Sequence, residues 1–345
     1  MIRIGVICPS EIAFRRFMPA IKKAGDMIQF GGIAYARPEE WSGDLCKLDS
    51  HLINEHQKRE QSKAQAFIDA YGGKIFDGYE NLILSDEVDA IYLPLPPALH
   101  YKWSKLALEK GKHVFVEKPS TCYFDDTKSL VEIARSQELA LHENYMFVFH
   151  NQIKEIKEII KSGEKLGIPY LFRMTFGFPR RDMNDFRYNK TLGGGALLDA
   201  GGYTIRYATE LLGNTARMTT AQANFIPDFE VDIFGTATIV NDKGQTAQLA
   251  FGMDNDYRCD IEVWGSKGTI TSCRIFTAPQ DYVPTYTLKK NQELSKYELP
   301  QDDAFYKSVI RFLDCIYNDE RRKENYNIIL KQEQLIQQFR DLCAL

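Results

Sequence analysis

No stretch of about 18 consecutive uncharged apolar residues occurs in this sequence, so no membrane-spanning helix is expected. The short apolar start is not the core of a secretory signal, because a strand pattern already begins at residue 2. The seven cysteines, at 8, 46, 122, 259, 273, 315 and 343, include no Cys-x-x-Cys pair and are odd in number. Their pattern argues against a disulfide framework and points to the reducing cytoplasm. No His, Cys, Asp or Glu cluster has metal-ligand spacing, so no metal is expected, and no Ser/His/Asp or Cys/His set suggests a nucleophile. An excess of one charge is missing too. A formal net charge of -4 argues against a nucleic-acid surface, and the basic spots Arg15-Arg16 and Arg321-Arg322-Lys323 read first as solvated faces. No internal repeat or low-complexity tract interrupts the chain.

What is there is an ordinary globular composition, 44% hydrophobic and 26% charged, over 345 residues, enough for two domains. Up to about residue 145, strand-like runs alternate with helical patterns. The strands expected are Arg3–Ile7, Gly32–Ala36, Ala90–Leu93, His113–Val116 and Ala140–Tyr145. Apolar residues at helical spacing separate them, as in Phe14, Phe17, Met18 and Ile21. This alternation predicts a doubly wound parallel sheet of the α/β class. The segment Glu39 to Lys63 is polar, read as helical, and longer than the usual connection.

The pattern then changes. A helix around Ile153, Ile156 and Ile160 precedes a strand, Tyr170–Phe178, and a glycine-rich turn opens a helix over Gly193–Leu212. Strands follow in series: Ile233–Val240, Thr246–Phe251, Asp260–Trp264, Thr269–Ser272 and Tyr286–Leu288. Helices over Asp302–Tyr317 and Ile328–Leu342 close the chain. Strands without intervening helices predict a large, open, mostly antiparallel sheet in an α+β domain. The domains expected are thus 1–145 and 146–345.

Four segments carry chemistry. "IGVICPSEIA", residues 4–13, has the strand–turn–helix context of a dinucleotide site, but Cys8 and Ser10 stand where the G-x-G-x-x-G/A fingerprint has glycines, and Ala13 fills the third position. The turn is either a variant phosphate site on a helix N-terminus, with Glu11 pointing away, or an ordinary turn after a core strand. "YAR" ends the second strand without the acidic residue that binds a ribose 2′-OH; Arg37 beside Ala36 suits a 2′-phosphate or simply faces water. "VFVEKPS" places Glu117 and Lys118 at the carboxyl edge of the sheet, where open α/β folds bind ligands. Partial burial would let that lysine serve as an electrostatic or proton-relay group; the alternative is a surface pair before a proline turn. "LGGGALLDAGGYTI", residues 192–205, sets Asp199 and Tyr203 four apart on one helical face, a candidate acid unit or a packing motif. His100 and His150 could line a pocket or be structural.

In that order, "IGVICPSEIA", "VDAIYLPLPPALH", "GKHVFVEKP", "ENYMFVFH" and "LGGGALLDAGGY" resemble the Gfo/Idh/MocA oxidoreductase family over nearly the whole chain. The resemblance implies an N-terminal Rossmann domain and a C-terminal domain whose open sheet mediates oligomers, here a homodimer or homotetramer. "SEIAFRRFMPA", "IYLPLPPALHYKW", "TAQLAFGM" and "IFTAPQDYVPTY" look like its branch of nucleotide-sugar 3-ketoreductases. That branch reduces the C-3 ketone of a dTDP-linked keto-deoxyhexose with NADPH. It implies NADP(H) rather than NAD(H) as cofactor. The implied cofactor contacts are Cys8, Ser10, Glu11 and Ile12 at the turn, Ala36 and Arg37 after the second strand, and Leu93 and Pro94 after the third. His100 and Glu117 are implied on the nicotinamide side, and Lys118 and Asn144 are further cofactor contacts. Tyr203 is implied as proton donor, its pKa depressed by the motif lysine Lys118, with Asp199 orienting the site. Oxidation of a free aldose or a dihydrodiol, or a non-catalytic NADP-binding sensor, are the rival readings.

Overall fold

The computed structural model describes residues 1–41 and 49–345. Cys46 and part of the polar Glu39 to Lys63 segment lie outside the described residues. The chain divides into two compact units. The first holds Met1–Asn144, Thr191–Gly193 and Ser308–Leu330; the second holds Tyr145–Lys190, Gly194–Lys307 and Lys331–Leu345.

The first unit is built on six parallel strands: β1 (Ile2–Ile7), β2 (Ile28–Tyr35), β3 (Lys74–Asp77), β4 (Ala90–Leu93), β5 (His113–Glu117) and β6 (Leu141–Asn144). Their order is β3-β2-β1-β4-β5-β6, which reverses direction at β1 and creates a crevice between β1 and β4. The doubly wound reading holds, with one strand more than expected. β3 is short and half-exposed, with no apolar run to announce it. The helices are α1 (Met18–Ala24), α2 (Ser50–Tyr71), α3 (Tyr79–Leu84), α4 (Pro97–Glu109) and α5 (Phe124–Ser136). Leu82, Trp103, Ala107, Leu130 and Val131 from α3, α4 and α5 pack on Ile91, Val114 and Val116 of the strands. Full burial of each Leu, Ile or Val among them contributes about 1.5–3 kcal/mol. On the opposite face of β4, Phe17 stacks on Tyr92 with centroids 3.8 Å apart.

The second unit carries the eight-stranded sheet. It comprises β7 (Pro169–Gly177), β8 (Arg217–Asn224), β9 (Phe234–Val240), β10 (Thr246–Gly252), β11 (Arg258–Gly265), β12 (Thr269–Cys273), β13 (Thr285–Lys290) and β14 (Glu293–Glu298). The order is β14-β13-β12-β11-β7-β10-β9-β8. Helix α6 (Asn151–Ser162) precedes the sheet, in which every pairing is antiparallel except β7 with β10, whose parallel alignment the long connection of residues 178–245 makes possible. β8 and β14 escape the sequence patterns because neither is an apolar run; β14 is exposed along its whole length. Helix α7 (Gly202–Leu212) covers β7 and β10. It follows a π-helical turn, Leu197–Gly201, inside the span expected as one helix.

Helices α8 (Ala304–Tyr317) and α9 (Asp319–Cys343) end the chain. α9 starts nine residues earlier than Ile328, because its first turns are polar and show no apolar period. The basic run there is neutralised locally. Arg322 donates to the carbonyls of Cys315 (3.3 Å) and Ile316 (3.1 Å), while Arg321 pairs with Glu324 and Lys323 with Asp319. Among the described residues no helix is long and apolar enough to cross a membrane.

Candidate functional site

At the end of β1 the chain keeps the shape of the glycine fingerprint without its glycines. Cys8 has φ 75°, the left-handed conformation that glycine normally supplies. Its thiol turns inward, packs on the core and bonds with the buried Tyr79 hydroxyl; burial pushes it up to about 11. A cysteine is therefore tolerated because its side chain points into the core. The Ser10 amide donates back to the Cys8 carbonyl at 2.8 Å. Ser10 then caps the helix: its carbonyl accepts from Phe14 N–H (3.1 Å) and its hydroxyl from Ala13 N–H (3.3 Å). The first-turn amides of Glu11 and Ile12 have no partner within the helix by its geometry, which suits an anion. Glu11 does turn aside, pairing with Arg15 at 2.5 Å on the exposed surface. The backbone conformation at Cys8 and the donors after it fit a dinucleotide pyrophosphate.

At the end of β2, Ala36 accepts from the Trp41 indole at 3.3 Å. Arg37 is about one-third exposed, with Asp77 at 3.7 Å and Glu39 at 3.9 Å from its guanidinium. Across the crevice, Leu93 and Pro94 are buried at the end of β4. His100, fully buried on α4, sets Nδ1 2.7 Å from the Pro119 carbonyl and Nε2 2.8 Å from the Leu95 carbonyl. It thereby sits between two loops at the carboxyl edge. Burial lowers it to about 4 against the raising effect of the two carbonyls, so the neutral ring donates its single N–H to one of them.

Glu117 ends β5 and Lys118 follows, half-buried, before a cis Lys118–Pro119 peptide. Glu117 Oε1 accepts from the Tyr92 hydroxyl and from Asn144 Nδ2, each at 2.7 Å, while burial raises its carboxyl above the usual range. Asn144 Oδ1 in turn accepts from Ser308 Oγ of α8 at 2.7 Å. With its proton committed there, Ser308 must accept from His142 Nε2 at 2.9 Å, which fixes that nitrogen as the protonated one. The motif residues thus rest on Tyr92, Ser308 and His142, none of which sequence spacing could associate with them.

In the second unit, Asp199 lies in the π-helical turn and Tyr203 one turn later, on α7. Tyr203 is half-buried among aromatic rings, with centroids 5.1 Å from Phe176, 5.3 Å from Tyr145 and 5.7 Å from Phe147. Asp199 accepts from Arg187 Nε at 2.7 Å, and Arg187 also meets Asp185 at 3.1 Å. Burial works against the Arg187 charge, but the two carboxylates outweigh it and hold the guanidinium above its usual pKa. Arg187 is a residue that sequence reading missed, since it lies in a three-residue 3₁₀ turn, Phe186–Tyr188, twelve residues before its partner.

Asp232 is the other. Its carboxylate accepts from Leu197 N–H at 2.7 Å and so anchors the start of the Asp199 turn. Burial pushes it up to about 6. Gly195, at φ 120°, lies so close that a Cβ would sit 2.3 Å from Asp232 Oδ1. His150 is structural in its setting: it is buried and accepts from Gln152 N–H at the start of α6.

Residues 32–145 match the oxidoreductase family with an NAD-binding Rossmann fold, and residues 153–271 match the GFO/IDH/MocA C-terminal domain. A dTDP-3,4-didehydro-2,6-dideoxy-alpha-D-glucose 3-reductase from Actinomadura kijaniata is 34% identical over 97% of this chain and 93% of its own length. An enzyme of the same name from Saccharopolyspora spinosa is 32% identical over 90% of this chain and 86% of its own. A crystal structure of a 3-ketoreductase from Actinomadura kijaniata with NADP and TDP-benzene superposes with a TM-score of 0.88 at 33% identity, covering 99% of this chain and 98% of that one.

Proposed function

Because this chain belongs to the Gfo/Idh/MocA oxidoreductase family, we propose that it reduces the C-3 ketone of a dTDP-linked keto-deoxysugar with NADPH. The observation that carries the reading is similarity to the dTDP-sugar 3-reductase along 97% of the chain.

The cofactor, when bound, supplies the hydride that the ketone carbon receives. The capped turn at Cys8–Ala13 would hold its pyrophosphate, and Arg37 its 2′-phosphate. Tyr203 gives its phenolic proton to the carbonyl oxygen as that oxygen gains charge, so ketone, hydride and proton together make the alcohol. Lys118 contributes a positive charge that favours the same step. Asp199, held by Arg187, orients the segment that carries the tyrosine.

The test compares kcat/KM for a dTDP-linked 3-keto-sugar, the free keto-sugar and free aldoses. The nucleotide-linked ketone should win by orders of magnitude, since binding energy from the remote nucleotide orients the reacting carbon. dTDP should compete with the sugar and not with NADPH, and Tyr203→Phe should lower kcat about 10²-fold with cofactor affinity retained. Preference for free aldoses without inhibition by dTDP would hand the chain to the sugar-dehydrogenase reading.

A further inference from the structure

The loop that carries Arg37 is tied down by one buried carboxylate. Glu40 is only 8% exposed. Its Oε2 accepts from Arg37 N–H at 2.8 Å and from Tyr79 N–H at 2.9 Å, and its Oε1 accepts from Glu80 N–H at 2.9 Å. Tyr79 and Glu80 open α3, so Glu40 fastens the exit of β2 to the loop after β3. Between them lies Gly78, whose N–H donates to the Tyr35 carbonyl at 3.0 Å. The Arg37 side chain runs directly over it: a Cβ on Gly78 would sit 3.0 Å from Arg37 Nε, and its φ of +97° disfavours any other residue. The acids flanking the guanidinium, Asp77 and Glu39, stand at 3.7 and 3.9 Å, beyond hydrogen-bond reach.

We propose that Glu40 is a positioning residue for cofactor selection, fixing the Arg37 backbone so that its guanidinium is presented to the 2′-phosphate of the adenosine ribose. The inference rests on the NADP reading of Arg37. Three N–H donors converge on two oxygens, and only a carboxylate accepts on both sides. An amide in its place turns an NH₂ group against at least one of those N–H donors, and the loop must shift.

The test uses 2′,5′-ADP and 5′-AMP as probes, titrated calorimetrically into the full chain, Arg37→Ala, Glu40→Gln and the double variant. The unmodified protein should bind 2′,5′-ADP about tenfold or more tighter than 5′-AMP. Glu40→Gln should weaken 2′,5′-ADP about fivefold, roughly the effect of one lost hydrogen bond, and leave 5′-AMP within about twofold. In the Arg37→Ala background it should add nothing. The sign is informative, because removing a negative charge near a phosphate would by itself tighten binding. Should Glu40→Gln fail to fold, Glu40→Asp keeps the charge but not the reach, and the same loss is expected. Equal weakening of both probes, tighter 2′,5′-ADP binding, or a loss that persists without Arg37 would overturn the role of Glu40 while leaving the NADP reading intact. Equal affinity of the unmodified protein for both probes would overturn that reading, and this inference with it.

Discussion

A side chain in the left-handed region costs about 1 kcal/mol or more, and Cys8 bears that cost because its thiol is buried against Tyr79. His113 makes a comparable case for a single residue setting a property of its unit. Its Nδ1 accepts from Ala140 N–H at 2.9 Å, which requires that nitrogen to be unprotonated. Burial, reinforced by Arg322, lowers its pKa to about 4. The unfolded chain therefore binds the extra proton first, between pH about 6.5 and 4, and stability is lost as pH falls through that window. We expect the part-exposed ring to account for about 2 kcal/mol of this loss, less than the full shift would imply. In His113→Asn the amide oxygen can take the same hydrogen bond without titrating. Urea unfolding at pH 7 and pH 4.5 should show a smaller acid loss for the variant; equal losses would count against His113 as the source.

Among the elements, the turn Leu197–Gly201, entered through Gly195, is held from outside itself. Asp232, 35 residues later than Leu197 in sequence, supplies the acceptor that its first amide needs. Gly195→Ala would both force φ 120° on a residue with a Cβ and push that Cβ into Asp232. The expected cost is about 2–3 kcal/mol or more, with kcat falling as Asp199 and Tyr203 lose their support. Denaturant midpoints of the variant and the parent measure it, and unchanged midpoints would contradict the geometry. Among the described residues, π-helical turns fall at Ala13–Phe17, directly after the Cys8 turn, and at Leu197–Gly201, which carries Asp199; such turns are frequent at functional sites.

For the whole molecule, ligand linkage provides the broadest test. NADP⁺ at about 100 times its Kd should stabilise the native state by about 2.7 kcal/mol and raise the Tm by several degrees. NAD⁺ at the same concentration should do much less, and equal shifts would contradict selection by Arg37. Much of this protein was legible in its residues. Alternating β and α periods specified the parallel sheet, and the later run of strands specified the open one, because burial of one face imposes a period on each element. Lys118, Asp199 and Tyr203 stood out for a similar local reason, being chemistry set at a strand end or on a helix face. β3, β8 and β14 did not, since half-exposed or edge strands need no apolar alternation. Nor did Glu40, Arg187, Asp232 and Ser308. Each sits in a loop or on a helix with no pattern of its own, and acquires its role only when folding removes water and brings a distant amide or charge within about 3 Å. Sequence determines which surfaces are buried; only the tertiary structure decides which polar groups must then satisfy one another.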